Sequence, residues 1–475
     1  MSPTAQEILD YLGIDPPSAV SRRRFLELFG GGIVIAVAGC DIAAQETAAP
    51  RRRGGRLPDD FNAFLRIGED GRVTCFTGKI EMGQGIHTSL AQMLADELEV
   101  ALDVVDMVMG DTDLCPWDMG TFGSMTTRFF GPPLRAAAAE AREVLLELAA
   151  EKLEVPRDQL AVADGVVSVA AHPERSATYA ELAKGQRIAR RIDRDAALEA
   201  VRDFTIVGRP EARRDAVAKV TGRAEYAGDI RREGMVYARL LRPPAHGATL
   251  LEVDASGLDA VPGATLVRDG DLIAVLHATP DGAERGLEQL KASWETPESD
   301  LDEDSIFEHL LKMAPAGDAV DRGGDLDVGR ATSGTRVAHT YLDGYVAHAA
   351  IETHTAVAEF ADGRCTIWAS TQTPFPLKSQ AAEALGVAED TVRVIPPFVG
   401  GGFGGKTFNQ QAIEAARLAR KVGRPVQVAW SRPEEFFYDT FRPAAVVTID
   451  AGVGDGGRIT DWDYTTYFAG SRGSE

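Results

Sequence analysis

The sequence predicts an α+β fold of about three domains, and three observations carry that prediction. Short runs rich in Val, Ile, Phe and Tyr are interspersed with long Ala- and Leu-rich stretches at helical spacing. Two junctions from strand to helix carry glycine loops, Glu81-Met82-Gly83-Gln84-Gly85 and Phe398 to Thr407. The chain has 475 residues, 44% of them hydrophobic, enough for roughly three units at the usual ~100–200 residues each.

The bulk numbers exclude several function classes. A net charge of −22 opposes nucleic acid and anionic membrane surfaces, which are bound through clustered Lys and Arg. The four cysteines, Cys40, Cys75, Cys115 and Cys365, form no C-x-x-C pair. That spacing supports neither a zinc site nor an iron–sulfur cluster on this chain. Eight histidines without an H-x-x-x-H pair argue against a His-ligated metal.

Residues 1–45 read as an address. Ser21-Arg22-Arg23-Arg24-Phe25-Leu26 has the form of a twin-arginine export signal, and the uncharged run Leu28 to Gly39 follows it. That run is shorter than the ~20 apolar residues a spanning helix needs. Val37-Ala38-Gly39-Cys40 resembles a lipoprotein cleavage box, making Cys40 a candidate for lipid anchoring. Residues 46–59 are polar and read as a linker. Twin-arginine export carries folded proteins, which favours a cofactor inserted before export.

A first segment, 60–200, opens with a hairpin, Phe64–Ile67 and Val73–Thr77 around Gly68–Gly71. The Gly83-Gln84-Gly85 loop then leads into a helix from about His87 to Leu98. Val105–Met109 is a strand, and the loop Gly120 to Thr127 precedes a helix from about Leu134 to Leu153, with Pro132 and Pro133 tolerated in its first turn. In that loop Gly123, Ser124, Met125 and Thr126 allow close backbone approach and supply hydroxyls. A second segment, 204–295, carries a strand at Met235–Arg242, another at Leu272–Leu276 and a helix from Asp281 to Lys291. Residues 296–332 are acidic and read as a connection with one helix, Ile306–Met313. The third segment, 333–475, holds a long strand-like stretch from Val346 to Phe360, the strand Cys365–Ala369 leading into Ser370-Thr371-Gln372, and a helix from about Pro376 to Leu385. The strand Thr391–Ile395, the glycine loop and a helix from Asn409 to Arg420 follow. The chain ends at Glu475 directly after the strand-like Tyr464–Phe468, so this domain is expected to be incomplete.

The glycine loop admits two readings. A strand, five glycines and a helix N-terminus form an anion cradle. Gly400, Gly405, Lys406 and Thr407 also match the G-x-x-x-x-G-K-S/T pattern of a P-loop, and so of an exported nucleotide hydrolase. The other motifs decide against the nucleotide reading.

Taken together, the segments from about residue 60 onward resemble the large, molybdopterin-binding subunit of the xanthine oxidase family of molybdenum hydroxylases. The branch they resemble is that of isoquinoline 1-oxidoreductase, nicotinate dehydrogenase and the exported aldehyde dehydrogenases. Lys219-Val220-Thr221-Gly222, Ala224-Glu225-Tyr226 and the strand from Gly234 to Arg242 resemble an α/β-hammerhead domain inserted in the molybdopterin-binding domain. The resemblance implies that Gln84, between Gly83 and Gly85, holds the pterin cofactor, and that Gly123, Ser124, Met125 and Thr126 line it. It implies further that Gln372 approaches the metal, and that Gly401, Gly402, Phe403 and Gly404 present main chain to it. Gln372, Phe403 and Gly123 would stand near the molybdenum without binding it directly. Thr407 replaces the glutamate of purine-oxidising members, and Arg442 falls where those members have a substrate-side arginine. The family's catalytic glutamate is expected beyond Glu475. The implied reaction is hydroxylation of an N-heteroaromatic carbon, or oxidation of an aldehyde, with water as oxygen source. The cofactor would be molybdopterin, alone or in its cytosine dinucleotide form. Electrons would pass to a small [2Fe-2S] subunit and on to a cytochrome c. A truncated, non-catalytic cofactor-binding fragment is the remaining alternative.

Overall fold

The computed structural model describes residues 32–36, 63–191, 196–298 and 301–469. The twin-arginine motif, Cys40 and the linker at 46–59 lie outside them.

A five-stranded sheet organises the N-terminal part, in the order Val105–Met109, Val73–Thr77, Ala63–Ile67, Gly32–Ala36, Arg187–Arg191. The hairpin anticipated around Gly68–Gly71 is present, with Ala63 opposite Thr77 and Ile67 opposite Val73. Five residues of the apolar run taken as part of an address, Gly32–Ala36, are a strand here, antiparallel to Ala63–Ile67. Three consecutive β-branched residues, Ile33-Val34-Ile35, suit a strand. Two helices, Ile86–Leu98 and Gly131–Leu153, pack with this sheet around a core that includes Leu90, Leu94, Phe130, Leu134 and Leu145. The longer helix begins before the prolines, and a π-helical turn at Thr126–Phe130 feeds into it. Pro132 and Pro133 occupy its first turn, where a missing N–H leaves no intrahelical bond unmade.

A seven-stranded sheet follows, in the order Thr265–Asp269, Leu272–His277, Val236–Leu240, Val426–Ala429, Thr355–Ala361, Arg364–Ala369, Val392–Ile395. Val236 pairs in parallel with Val426, so strands from the 204–295 stretch and from the 333–475 stretch share one sheet. The helices Pro374–Leu385 and Gln410–Val422 pack together, and Gln410–Val422 lies against Thr355–Ala361.

The chain divides into two compact units. The first comprises residues 1–241, 254–291 and 350–437, the second 242–253, 292–349 and 438–475. The second unit contains an antiparallel sheet of Thr335–Asp343, Ala445–Val453 and Ile459–Phe468. Its acidic connection carries two helices instead of one: Ile306–Met313, as anticipated, and Leu326–Thr332, whose N-terminus is capped by the Asp325 carboxylate.

Two further elements differ from the sequence reading. The helix anticipated from Asp281 to Lys291 spans Pro280–Leu287, and Lys291 begins a strand. Thr279 caps that helix by accepting from the Gly282 N–H. The stretch Val346–Phe360 is two strands, Val346–Ala347 and Thr355–Ala361. Ala349 between them has φ of 48°, which breaks the extended run. Glu352, in the stretch between the two strands, reaches the glycine loop. Among the described residues no helix is long and apolar enough to cross a membrane.

Candidate functional site

Three loops of the first unit are tied together through Thr121 and Gln372. The Thr121 hydroxyl accepts from the Ile80 N–H at 2.9 Å, which fixes the base of the Gly83-Gln84-Gly85 loop. The Thr121 N–H donates to the Gln372 carbonyl at 2.9 Å. The Gln372 side-chain amide donates to the Thr121 carbonyl at 2.7 Å, and its Oε1 accepts from the Gly404 N–H at 3.0 Å. The Gln372 N–H also donates to the Lys406 carbonyl. One buried glutamine thus joins the loop around Thr121 to the glycine loop, with both polar atoms of its side-chain amide engaged.

A buried ion pair reinforces the first of these junctions. Lys79 Nζ donates to Asp118 Oδ1 and to the Gly120 carbonyl, both at 2.8 Å, with both side chains essentially out of solvent. Burial pushes the Asp118 carboxyl up and the Lys79 ammonium opposes that rise. Gly78 is required beside it, because a Cβ there would stand 2.2 Å from that of Asp118.

The Gly83-Gln84-Gly85 loop is shaped by Glu81. This buried carboxylate accepts from the N–H groups of Gly83 (2.8 Å), Gly85 (3.1 Å) and His87 (3.0 Å). The start of the helix Ile86–Leu98 is therefore capped from within and holds no free cluster of amides there. Gln84 folds over its own loop, donating to the Ile80 carbonyl and accepting from Met82 N–H. Arg213 donates to the Gly83 carbonyl at 2.8 Å and is held by Asp215, whose carboxyl it keeps well below the usual range, with help from Lys219. Gly83 and Gly85 have φ of 112° and 85°, which a side chain rarely tolerates.

Gly123 and Ser124 are exposed at the tip of their loop, with φ of 62° and 54°. Met125 packs on the N-terminal core and Thr126 is buried at the start of the π-helical turn. In the glycine loop Gly401 and Gly404 have φ of 93° and 117°, and Phe403, 71% exposed, has φ of 56°. Left-handed backbone at two residues with side chains, Ser124 and Phe403, is strain of the kind that collects at ligand sites. A Cβ on Gly402 would lie 2.3 Å from Gln372 Oε1. The amides of Gly401, Gly402 and Phe403 carry no hydrogen bond among the described residues. Gly401 is half-buried and Gly402 buried, so main chain lies close beneath the exposed Phe403 at this tip.

The P-loop reading is overturned by the same loop. Lys406 is buried and pairs with Glu352 at 2.8 Å, the Thr407 hydroxyl donates to the Gly404 carbonyl, and after a single 3-10 turn at Gly405–Thr407 the α-helix starts only at Gln410. The Gly400 and Gly404 amides are already bonded to Glu352 and Gln372. A phosphate cradle needs an available lysine and aligned amides; this loop offers three amides at its tip alone.

Thr407 belongs to this loop. Arg442 belongs to the second unit, where it is exposed and ion-paired with Asp343. Among the described residues no three His, Cys, Asp or Glu side chains gather in a way that could hold a metal ion. A cleft of about 450 Å³ lies beside the loops, lined among others by Glu81, His87, Met107, Trp368 and Phe398. Phe398, heading the glycine loop, donates its N–H to the Glu225 carbonyl and lies near Tyr226 and Lys219.

Sequence reasoning named the loop glycines, Gln84, Gln372 and Phe403, but gave no holding role to Thr121, Glu81, Arg213 or Glu352. Of these, Glu81 had a local signal, an acidic residue just before a glycine-flanked helix start.

Two family models match the chain. Both are described as a molybdopterin cofactor-binding domain, one over residues 313–473 and the other over residues 7–222. A nicotinate dehydrogenase subunit of Pseudomonas putida is 34% identical over 416 residues, covering 85% of this chain and 35% of that protein. The isoquinoline 1-oxidoreductase beta subunit of Brevundimonas diminuta is 28% identical, covering 91% and 62%. A membrane-bound aldehyde dehydrogenase (pyrroloquinoline-quinone) of Gluconacetobacter polyoxogenes is 27% identical, covering 94% and 60%. The chain thus spans between about one third and two thirds of these relatives' lengths.

Proposed function

Because this chain belongs to the molybdopterin-binding large subunits of the xanthine oxidase family, we propose that its first unit holds a molybdenum–pterin cofactor for an exported oxidoreductase. The observation that carries the reading is the Thr121–Gln372 junction, which brings two loops with strained, open tips to one place. When bound, the cofactor supplies oxidation of an electron-poor carbon with water as the oxygen source. The chain's own residues hold and orient it. The amides of Gly401, Gly402 and Phe403 would meet its metal end, Gln372 would stand beside that end, and Gln84 with the Gly123–Thr126 loop would line the pterin. A cytosine dinucleotide form is our reading of the cofactor.

The substrate class we propose is an N-heteroaromatic compound or an aldehyde, following the names of the three relatives. The third name carries a quinone cofactor; both matching family models favour molybdopterin instead. Thr407, on the glycine loop of the first unit, stands on the substrate side of this proposal. Its hydroxyl already donates to the Gly404 carbonyl, so a substrate would compete with that bond. A [2Fe-2S] subunit and a cytochrome c complete the electron path, and export is by the twin-arginine route; cleavage for lipid anchoring at Cys40 would take the Gly32–Ala36 strand out of its sheet. The partial coverage of the relatives favours a second reading, that residues 1–475 alone bind cofactor without turnover.

The test is elemental analysis for molybdenum, with pterin measured by fluorescence after oxidation, on protein purified from a host that makes the cofactor. About one molybdenum and one pterin per chain support the proposal; neither metal nor pterin, together with binding of an ATP analogue, would end it. Cofactor present without oxidation of isoquinoline, nicotinate or benzaldehyde selects the second reading.

A further inference from the structure

Glu352 lies in none of the sequence motifs above, yet one of its oxygens closes the glycine loop. Oε2 accepts from the Gly400 N–H at 2.7 Å, where the loop begins, and from Lys406 Nζ at 2.8 Å, where it ends. The two contacts fix the span between Gly400 and Lys406, and so the position of Gly401, Gly402 and Phe403 between them. The fit is close: a Cβ on Gly400 would stand 2.5 Å from that of Glu352. Lys406 is 1% exposed and the Glu352 side chain 13%, so the pair works where water screens it little. Glu352 Oε1 is buried without a hydrogen-bond partner. Two residues on, His354 reaches the same loop: its Nε2 lies 3.3 Å from the Gly405 carbonyl, and Glu435 holds its Nδ1 at 3.1 Å.

We propose that Glu352 is a positioning residue for the cofactor: its carboxylate, joined to Gly400 and Lys406, holds the 401–403 amides in the shape that receives the metal end. The lysine of the P-loop-like motif is then the counter-charge of this clasp and not a ligand-binding group. The inference rests on the proposed function, since without a cofactor the clasp would have nothing to position. It goes further by naming the group that sets the loop's shape.

The experiment compares the full chain with E352Q, E352A, K406M and the double variant E352A/K406M, each expressed with its partner subunits in a host that makes the cofactor. Pterin and molybdenum per chain are measured alongside thermal unfolding. E352A alone strands a buried ammonium and is expected to lower the melting temperature. The double variant removes both charges and is expected to recover that temperature while retaining less than a tenth of the wild-type pterin. E352Q, whose carbonyl still accepts from Gly400, is expected to keep about half. If the double variant recovers both stability and pterin, the pair is merely structural and the proposal falls. If the wild-type chain itself carries neither molybdenum nor pterin, the functional reading fails first, and the two failures are told apart.

Discussion

The side-chain amide of Gln372 donates to the carbonyl of Thr121 at 2.7 Å across 251 residues of sequence, and accepts from the Gly404 N–H on its other side. Because Thr121 also receives the Ile80 N–H, a single linked set of hydrogen bonds runs from the first glycine loop to the second. The geometry of the candidate site depends on that set more than on any one loop.

Replacing Gln372 with Leu is expected to leave the Thr121 carbonyl and Gly404 amide without their partner. Each buried group left unpaired costs about 1–3 kcal/mol. A loss of roughly 2–6 kcal/mol in urea-derived stability, with pterin content falling in parallel, is the expected result. Unchanged stability would mean that the junction contributes nothing to holding the loops.

Gly402 and Gly83 separate crowding from backbone strain. Gly402→Ala places a methyl 2.3 Å from Gln372 Oε1 and must displace it, whereas a methyl on Gly83 meets nothing within 4 Å but demands φ of 112°. Overpacking of this kind costs about 1–3 kcal/mol. Gly402→Ala should lower pterin content several-fold. Gly83→Ala should lower stability by about 1 kcal/mol through backbone strain, with Gln372 in place. Denaturation curves and pterin assays on both variants check the contrast.

The Asp215 carboxyl is held below its usual range, first by the hydrogen bond from Arg213 and then by Lys219. Its folded pKa is depressed, so its contribution to stability is present above the ordinary carboxylate value of about 3.9 and is lost as pH falls through the folded value. Stability should therefore decline below about pH 4. Asp215→Asn should flatten that limb, measured as melting temperature against pH. An unchanged acid limb in the variant would remove Asp215 from the account.

Burial pushes the thiols of Cys75 and Cys365 up to about 12, and that of Cys115 up as well. As inert buried thiols these three should resist iodoacetamide at about pH 8 in the folded protein and all react on unfolding. Mass spectrometry of the modified peptides gives the answer. Rapid labelling of any of them in the native protein would contradict the burial.

The sequence by itself determined where main chain must come close to something: Gly83, Gly85, Gly123, Gly401 and Gly404 all adopt positive φ. It also set most strands and helices, since period and capping act within about a dozen residues. Only the tertiary structure decided what the loops face. Lys406 reads as a phosphate ligand from its neighbours, yet it turns inward because Glu352, 54 positions earlier, offers a desolvated partner. The sharing of one sheet by Val236 and Val426 likewise depends on contacts between distant segments. Such contacts leave no periodic trace along the chain, because each is one residue's complementarity to a surface that exists only after folding.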